Sequence, residues 1–94
     1  MQVTDVKIRK LFDDEGPMKA IASVTFDGQL ALHDVKVIFT RDKSFVVMPN
    51  KRNPDGSFRD IVHPISSEFR ATVENEVMKA YYAALDEQNG ETEL

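Results

Sequence analysis

The chain has 94 residues, no cysteine and a net charge of −4 at pH 7. This length suits one small domain with a limited core. The absence of cysteine excludes disulfides, thiolate nucleophiles and zinc–thiolate sites, and it suits a cytoplasmic protein. No apolar run reaches 18 residues, so we expect no membrane insertion.

The acidic residues are concentrated in the last third of the chain. Residues 1–60 carry a net charge of +1, whereas residues 61–94 carry −5. An acidic balance argues in general against nucleic-acid binding. This distribution still allows the body of the domain to present a local positive face.

The first strand is predicted over residues 3–12, where apolar and basic residues alternate. Val6 and Ile8 have one parity, and Lys7 and Arg9 have the other. Alternation with period two and β-branched residues is typical of a half-buried strand. We therefore expect the two cations to face away from the core.

Two further strands are predicted over residues 18–26 and 30–40. Asp27-Gly28 between them favours a two-residue type I′ hairpin turn. The apolar parity of the third strand shifts by one residue around His33-Asp34, which predicts a β-bulge.

The next pair of strands surrounds a turn. Phe45–Met48 is a continuous apolar run, typical of a strand buried on both faces. Asn53–Gly56 has the residues of a tight turn, because Pro54 fixes its own φ and Gly56 accepts a positive φ. Residues 58–63 are predicted to return as a fifth strand.

One amphipathic helix is predicted from about residue 67 to 87, with an apolar stripe along one side. Ser66 or Ser67 can cap its first amides. Gly90 is expected to end it, which gives a single domain over residues 1–88 and a disordered tail over residues 89–94.

The predicted fold class is therefore α+β, with an antiparallel sheet of about five strands and one C-terminal helix packed on one face. One helix covers only one face of a sheet. The second face, or an edge, also carries apolar residues, namely Ile21, Ile38 and Phe45–Met48. We therefore expect a homodimer that forms through the sheet.

Four stretches of the chain resemble a known family. They are Met48–Pro64, with its Met-Pro-x-Lys-Arg-x-Pro-Asp-Gly pattern, Val3–Arg9, Met18–Asp27 and His33–Ile38. Together they are similar to the stage V sporulation protein G (SpoVG) family over residues 1 to about 83. The resemblance implies a small bacterial cytoplasmic dimer linked to control of septation and sporulation, with nucleic-acid binding and gene-regulatory effects.

Six basic residues are the candidate nucleic-acid-binding residues, since Arg supplies a forked donor and Lys a point charge to phosphate. They are Lys51, Arg52, Arg59, Arg70, Lys7 and Arg9. Each has a plainer interpretation. Lys51, Arg52 and Arg59 can be solvated charges that block edge pairing of a hairpin. Lys7 and Arg9 can be ordinary cross-strand charges that face water. Arg70 can be the ion-pair partner of Glu74 on the helix. Core packing is favoured for Phe58.

The sequence does not indicate an enzyme. His33 and Asp34 are neighbours in a strand and point to opposite faces unless the bulge turns them, and His63 stands near a proline. We find no nucleophile motif, glycine-rich phosphate loop or three-ligand metal spacing, so no catalytic residue, cofactor or metal is predicted. Both histidines are interpreted as structural.

Two functions remain open. The first is a dimeric nucleic-acid-binding regulator, in which two subunits pool their basic residues. The alternative is a protein-interaction module that acts on the division machinery, with division or regulatory proteins as partners and no nucleic acid. Its contact surface would be the acidic side of the helix, formed by Glu68, Glu74, Glu76, Asp86 and Glu87.

Overall fold

A computed structural model describes the backbone of residues 1–93 and the side chains of residues 1–88. The chain forms six strands followed by one helix: β1 (Val3–Leu11), β2 (Met18–Phe26), β3 (Leu30–Phe39), β4 (Ser44–Val47), β5 (Asn50–Arg52), β6 (Phe58–Asp60) and α1 (Ser67–Glu93). The first four strands form one antiparallel sheet in the order β1-β2-β3-β4, and β5 pairs with β6 in a separate two-stranded ribbon.

The predicted α+β class is confirmed, but the predicted fifth strand does not join the main sheet. Pro49 follows β4 and has no N–H to donate to a ladder, so the sheet stops there. The returning strand β6 pairs instead with β5, which follows Pro49. The Pro49 carbonyl accepts a hydrogen bond from the Ile61 N–H at 2.8 Å. The ribbon is therefore an extension that begins where the main sheet ends.

The hairpin between β2 and β3 turns at Asp27-Gly28 as predicted, but its loop has three residues rather than the predicted two, because Phe26 pairs with Leu30. Asp27 and Gly28 both have positive φ, at 52° and 65°. The Gln29 N–H donates to the Phe26 carbonyl at 2.9 Å and closes the turn. This turn suits the right-handed twist of the two strands.

The predicted bulge in β3 is also present. Ala22 pairs with Val35 and Val24 pairs with Leu32, so His33 and Asp34 together lie opposite Ser23. Asp34 has a φ of 62°, a left-handed conformation that Asp tolerates better than most residues. The extra residue lets Leu32 and Val35 both pack towards the core despite their odd spacing.

The helix begins with a side-chain cap. Ser66 Oγ accepts from the Phe69 N–H at 3.1 Å, so Ser66 rather than Ser67 is the cap. The helix continues past Gly90 to Glu93 instead of ending near residue 87, because one interior glycine costs a helix only about 1 kcal/mol. Among the described residues, no helix combines the length and the apolar character that crossing a membrane requires.

The backbone of residues 89–93 belongs to the helix, whereas Leu94 and the side chains beyond Gln88 lie outside the described residues. The domain boundary at residue 88 and the disorder that we predict over residues 89–94 stay predictions.

The core lies between the helix and one face of the main sheet. Val73, Val77 and Tyr81 point from the helix onto buried residues of the strands, among them Val24 and Val37. Burying a side chain of this size contributes about 1.5–3 kcal/mol. Tyr81 also packs against Phe39, with ring centroids 5.6 Å apart.

Two neighbouring tyrosines provide a test of this packing. Tyr81 is 6% exposed and Tyr82 is 50% exposed. We expect Tyr81→Ala to lower the free energy of unfolding by about 3–5 kcal/mol, because it leaves a cavity under the helix. Tyr82→Ala is the matched control and is expected to cost less than about 1 kcal/mol. Urea unfolding followed by circular dichroism measures both, and equal losses would contradict the assigned helix face.

Candidate nucleic-acid interface

The ribbon turns at Asn53–Gly56, as predicted. Gly56 has a φ of 93°, and its N–H donates to the Asn53 carbonyl at 3.0 Å. The Asn53 N–H donates across the ribbon to the Ser57 carbonyl at 2.7 Å. These two bonds fix the end of the ribbon.

The Asp55 carboxylate is part of this turn. Its Oδ1 accepts from Ser57 Oγ at 2.6 Å and from the Ser57 N–H at 3.0 Å. The side-chain hydrogen bond, followed by the backbone one, lowers the pKa of Asp55 below its ordinary value, because both stabilise the charged form. The bonds are therefore retained at neutral pH and are lost only when acid protonates the carboxylate.

Three of the predicted cations lie on the ribbon. Lys51 pairs directly with Arg59, so these two side chains leave the same face. Arg52 is opposite Phe58 on the next rung, so its side chain leaves the other face of the ribbon. All three residues border one shallow groove beside Asn53 and Asp60. Like charges directly opposite each other on paired strands are destabilising. A bound anion would therefore reduce the repulsion between Lys51 and Arg59.

The ribbon cations form no ion pair with a carboxylate of the described residues. Within this part of the chain, the one ion pair shorter than 4 Å joins Arg70 to Glu74, at 3.6 Å. This is the helical pair expected from the sequence. Arg70 lies in the first turns of the helix with its charge partly neutralised, so it is a weaker candidate than the ribbon residues.

The remaining candidates, Lys7 and Arg9, lie on β1 at the far edge of the main sheet. The ribbon follows β4 at the other edge, so the fold of one subunit does not bring the two sets together. Arg9 Nε donates to Ser23 Oγ at 3.1 Å, and Ser23 Oγ lies 2.8 Å from His33 Nδ1. His33 thus has the structural role at the bulge that the sequence indicates.

The prediction that Phe58 packs in the core is wrong, because its side chain is 68% exposed. The ribbon packs against no other strand or helix of the described chain, so it has no interior for the ring to enter. The β6 strand has three residues, all exposed. A signal for this was present in the sequence, since residues near the turn do not alternate between apolar and polar.

Together these features define a small α+β domain with a basic two-stranded ribbon projecting from one sheet edge. The SpoVG family model matches residues 1–83, and the chain belongs to this family.

Three relatives illustrate the match. The "Putative septation protein SpoVG" of Clostridium botulinum (strain Eklund 17B) is 48% identical over 93 residues, which is 99% of this chain and 100% of the relative. The protein of the same name in Acetivibrio thermocellus is 48% identical over 81 residues, 86% of this chain and 85% of the relative. "Putative septation protein SpoVG 1" of Listeria monocytogenes is 49% identical over 84 residues, 89% of this chain and 81% of the relative.

The opposed cations give a test of the ribbon geometry. Lys51→Glu replaces repulsion across the ribbon with attraction to Arg59, and we expect it to stabilise the ribbon by about 0.2–1 kcal/mol. The readout is slower hydrogen exchange at the Asn53 amide, which is bonded across the ribbon. Arg52→Glu is the matched control, because Phe58 rather than a cation lies opposite it. Equal protection in both variants would contradict the register.

Proposed function

We propose that the protein is a homodimeric, nucleic-acid-binding regulatory protein that acts in the cytoplasm in septation or sporulation control. The names of its relatives support the septation role. The ribbon groove supports the binding role, and the proposed activity is binding rather than catalysis.

The observation that carries the binding role is the direct opposition of Lys51 and Arg59, with no carboxylate of the described residues in an ion pair with either. Phosphate oxygens would supply the missing negative charge, and the forked guanidinium and the point-charged amine both suit that ligand. Arg52 extends the same groove. The proposed interface is therefore local and compatible with an overall charge of −4.

We propose a dimer because no other element of the described chain packs against the ribbon. An isolated two-stranded hairpin is at best marginally stable in water, and this one packs on no other element of the described residues. A second copy would supply the missing surface and would place two basic grooves in one particle.

The apolar residues around the ribbon support the same proposal. Ile65 is 95% exposed, Ile61 is 69% exposed and Phe58 is 68% exposed. Val62 continues this patch into an apolar cleft of about 240 Å³ beside the helix start, lined also by Phe26, Leu30, Leu32, Met48, Pro64, Phe69 and Val73. Exposed apolar patches of this kind mark interfaces. The outer sheet face, which the sequence favours, is less exposed at Ile21 and Ile38.

The binding role is tested with Lys51→Glu/Arg52→Glu. We expect weaker binding of labelled DNA and RNA, and a salt slope smaller by about 1 for each phosphate that the variant no longer neutralises. Fluorescence anisotropy at two salt concentrations measures both quantities. Lys79→Glu is the control, since this helical lysine lies among acidic residues.

Unchanged binding by the ribbon variant would remove the groove from the interface. Absence of wild-type binding at low salt would refute the nucleic-acid role and favour the alternative, a protein-interaction module that uses the acidic side of the helix.

The dimer is tested with Ile61→Asp, which places a charge on the exposed apolar segment. We expect sedimentation velocity at micromolar concentration to shift from dimer to monomer, because desolvating an unpaired carboxylate in an interface is costly. Ile21→Glu is the comparison, since Lys10 and Lys36 flank it on the sheet and can accept the charge.

Dissociation by Ile21→Glu alone would assign the contact to the outer sheet face instead. A wild-type monomer would refute the dimer altogether.

A further inference from the structure

The outer face of the main sheet, which is the face opposite the helix, has two irregularities around one residue. β1 is bulged between Ile8 and Lys10, and β3 is bulged at His33-Asp34. Ser23 lies on the strand between them and is 6% exposed. Bulges commonly re-aim side chains next to functional sites. Here both bulges direct a basic or ionisable side chain onto the same hydroxyl.

The hydroxyl of Ser23 holds these two side chains in place. It accepts from Arg9 Nε at 3.1 Å and lies 2.8 Å from His33 Nδ1. When the hydroxyl donates to Nδ1, the neutral imidazole carries its proton on Nε2. Arg9 and His33 are both exposed and share one hydroxyl partner, so the outer guanidinium nitrogens and Nε2 are donors open to solvent. A fixed cluster of donors of this kind suits an anion.

The surrounding surface has the same sign of charge. Lys7 lies directly opposite Ser23 on the neighbouring strand. One row of paired residues crosses the four strands of the sheet and contains Lys10, Ile21, Lys36 and Val47, so two of its four residues are lysines. The carboxylates on the strands of this face are Asp5 and Asp34, and neither forms an ion pair within the described chain. The acidic loop Asp13-Asp14-Glu15 borders the face at one end, where Lys19 Nζ donates to the Asp14 carbonyl at 3.1 Å. An acidic protein therefore has a sheet face with an excess of cations.

Apolar and aromatic side chains lie between the cations. Ile38 pairs with Phe45, and Lys43 Nζ lies 5.7 Å from the Phe45 ring centroid. At the other edge, Lys10 Nζ lies 5.0 Å from the Phe12 ring centroid. Cations interleaved with rings and aliphatic side chains on an open sheet suit unpaired bases and their phosphates. A duplex offers only its backbone to a flat face, because its bases are stacked inside.

We propose that the outer face of the main sheet binds a single-stranded polynucleotide, with Arg9 and His33 on one phosphate and Lys7, Lys10 and Lys36 on its neighbours. This proposal rests on the proposed nucleic-acid role and adds a second surface, separate from the ribbon groove. Charge complementarity and the interleaved aromatic rings select the occupant. Because the proposed contacts are to phosphates and bases rather than to the sugar, single-stranded DNA and RNA are expected to bind alike.

The test uses the full chain and a labelled oligothymidylate of about 15 nucleotides, a length near the upper site size of single-strand-binding folds. A duplex of the same length and an oligouridylate serve as further probes. Arg9→Gln/Lys36→Gln is expected to lower the affinity for both single strands about threefold to tenfold, with a salt slope smaller by about 0.7 for each phosphate left without its cation. Its affinity for duplex is expected to stay within about twofold of the wild type.

A second variant, Lys7→Gln/Lys10→Gln, leaves the Ser23 hydrogen bonds intact and is expected to act in the same direction. The ribbon variant Lys51→Glu/Arg52→Glu serves as the reference for the other surface. Circular dichroism and sedimentation establish that each variant is folded and keeps the wild-type oligomeric state.

The outcomes separate this proposal from the proposed function. If both folded sheet variants bind single strands as the wild type does, the sheet face is not an interface, although ribbon binding stands. If the sheet variants change the oligomeric state, the face is a subunit contact and the proposal is overturned. If the wild type binds no probe at low salt, the nucleic-acid role itself fails. A large difference in affinity between the oligothymidylate and the oligouridylate would contradict the proposal that the protein does not contact the sugar.

Discussion

The burial of one helix against one face of a four-stranded sheet is the interaction on which the rest of the structure depends. Val77 and Tyr81 cover the inner side of β2 and β3, and this contact fixes which side of every strand is core. The same contact has a consequence for function. A single helix on the inner face leaves the outer sheet face and the ribbon uncovered by the described chain. Those two surfaces carry most of the basic residues that form no ion pair within it.

The irregular positions of the sheet connect the core to its outer face. The bulge at His33-Asp34 keeps Leu32, Val35 and Val37 on the core side of β3, and it also places His33 beside Ser23. Pro49 has a comparable double effect, since it ends the main sheet and begins the ribbon that carries Lys51. Features that solve a packing problem on one side thus arrange cations on the other. This explains how a chain with a net charge of −4 can present basic surfaces.

Local sequence signals predicted the backbone correctly where the preference of one or two residues decides between two conformations. Asp27-Gly28 predicted its turn because few residue pairs accept two positive φ values. The parity shift near His33 predicted a bulge because a strand cannot change faces otherwise. Gly90 failed as a helix stop because a glycine only lowers helix stability, and Phe58 failed as a core residue because an aromatic ring reveals nothing about whether its strand has a neighbour. The sequence placed Lys51, Arg52 and Arg59 around one turn, but it did not show that Lys7 and Arg9 lie at the other edge of the sheet.

The sequence by itself determined the α+β class, the first four strands, the terminal helix, the turns and the basic character of Lys51, Arg52 and Arg59, because these follow from periodicity and from the backbone preferences of individual residues. Only the tertiary structure decided that the ribbon stands apart from the sheet, that Lys51 opposes Arg59, and that Arg9 and His33 share the Ser23 hydroxyl. These are facts of strand pairing and register between distant segments. A pairing depends on which partners remain available after the core has formed, and no local pattern records that.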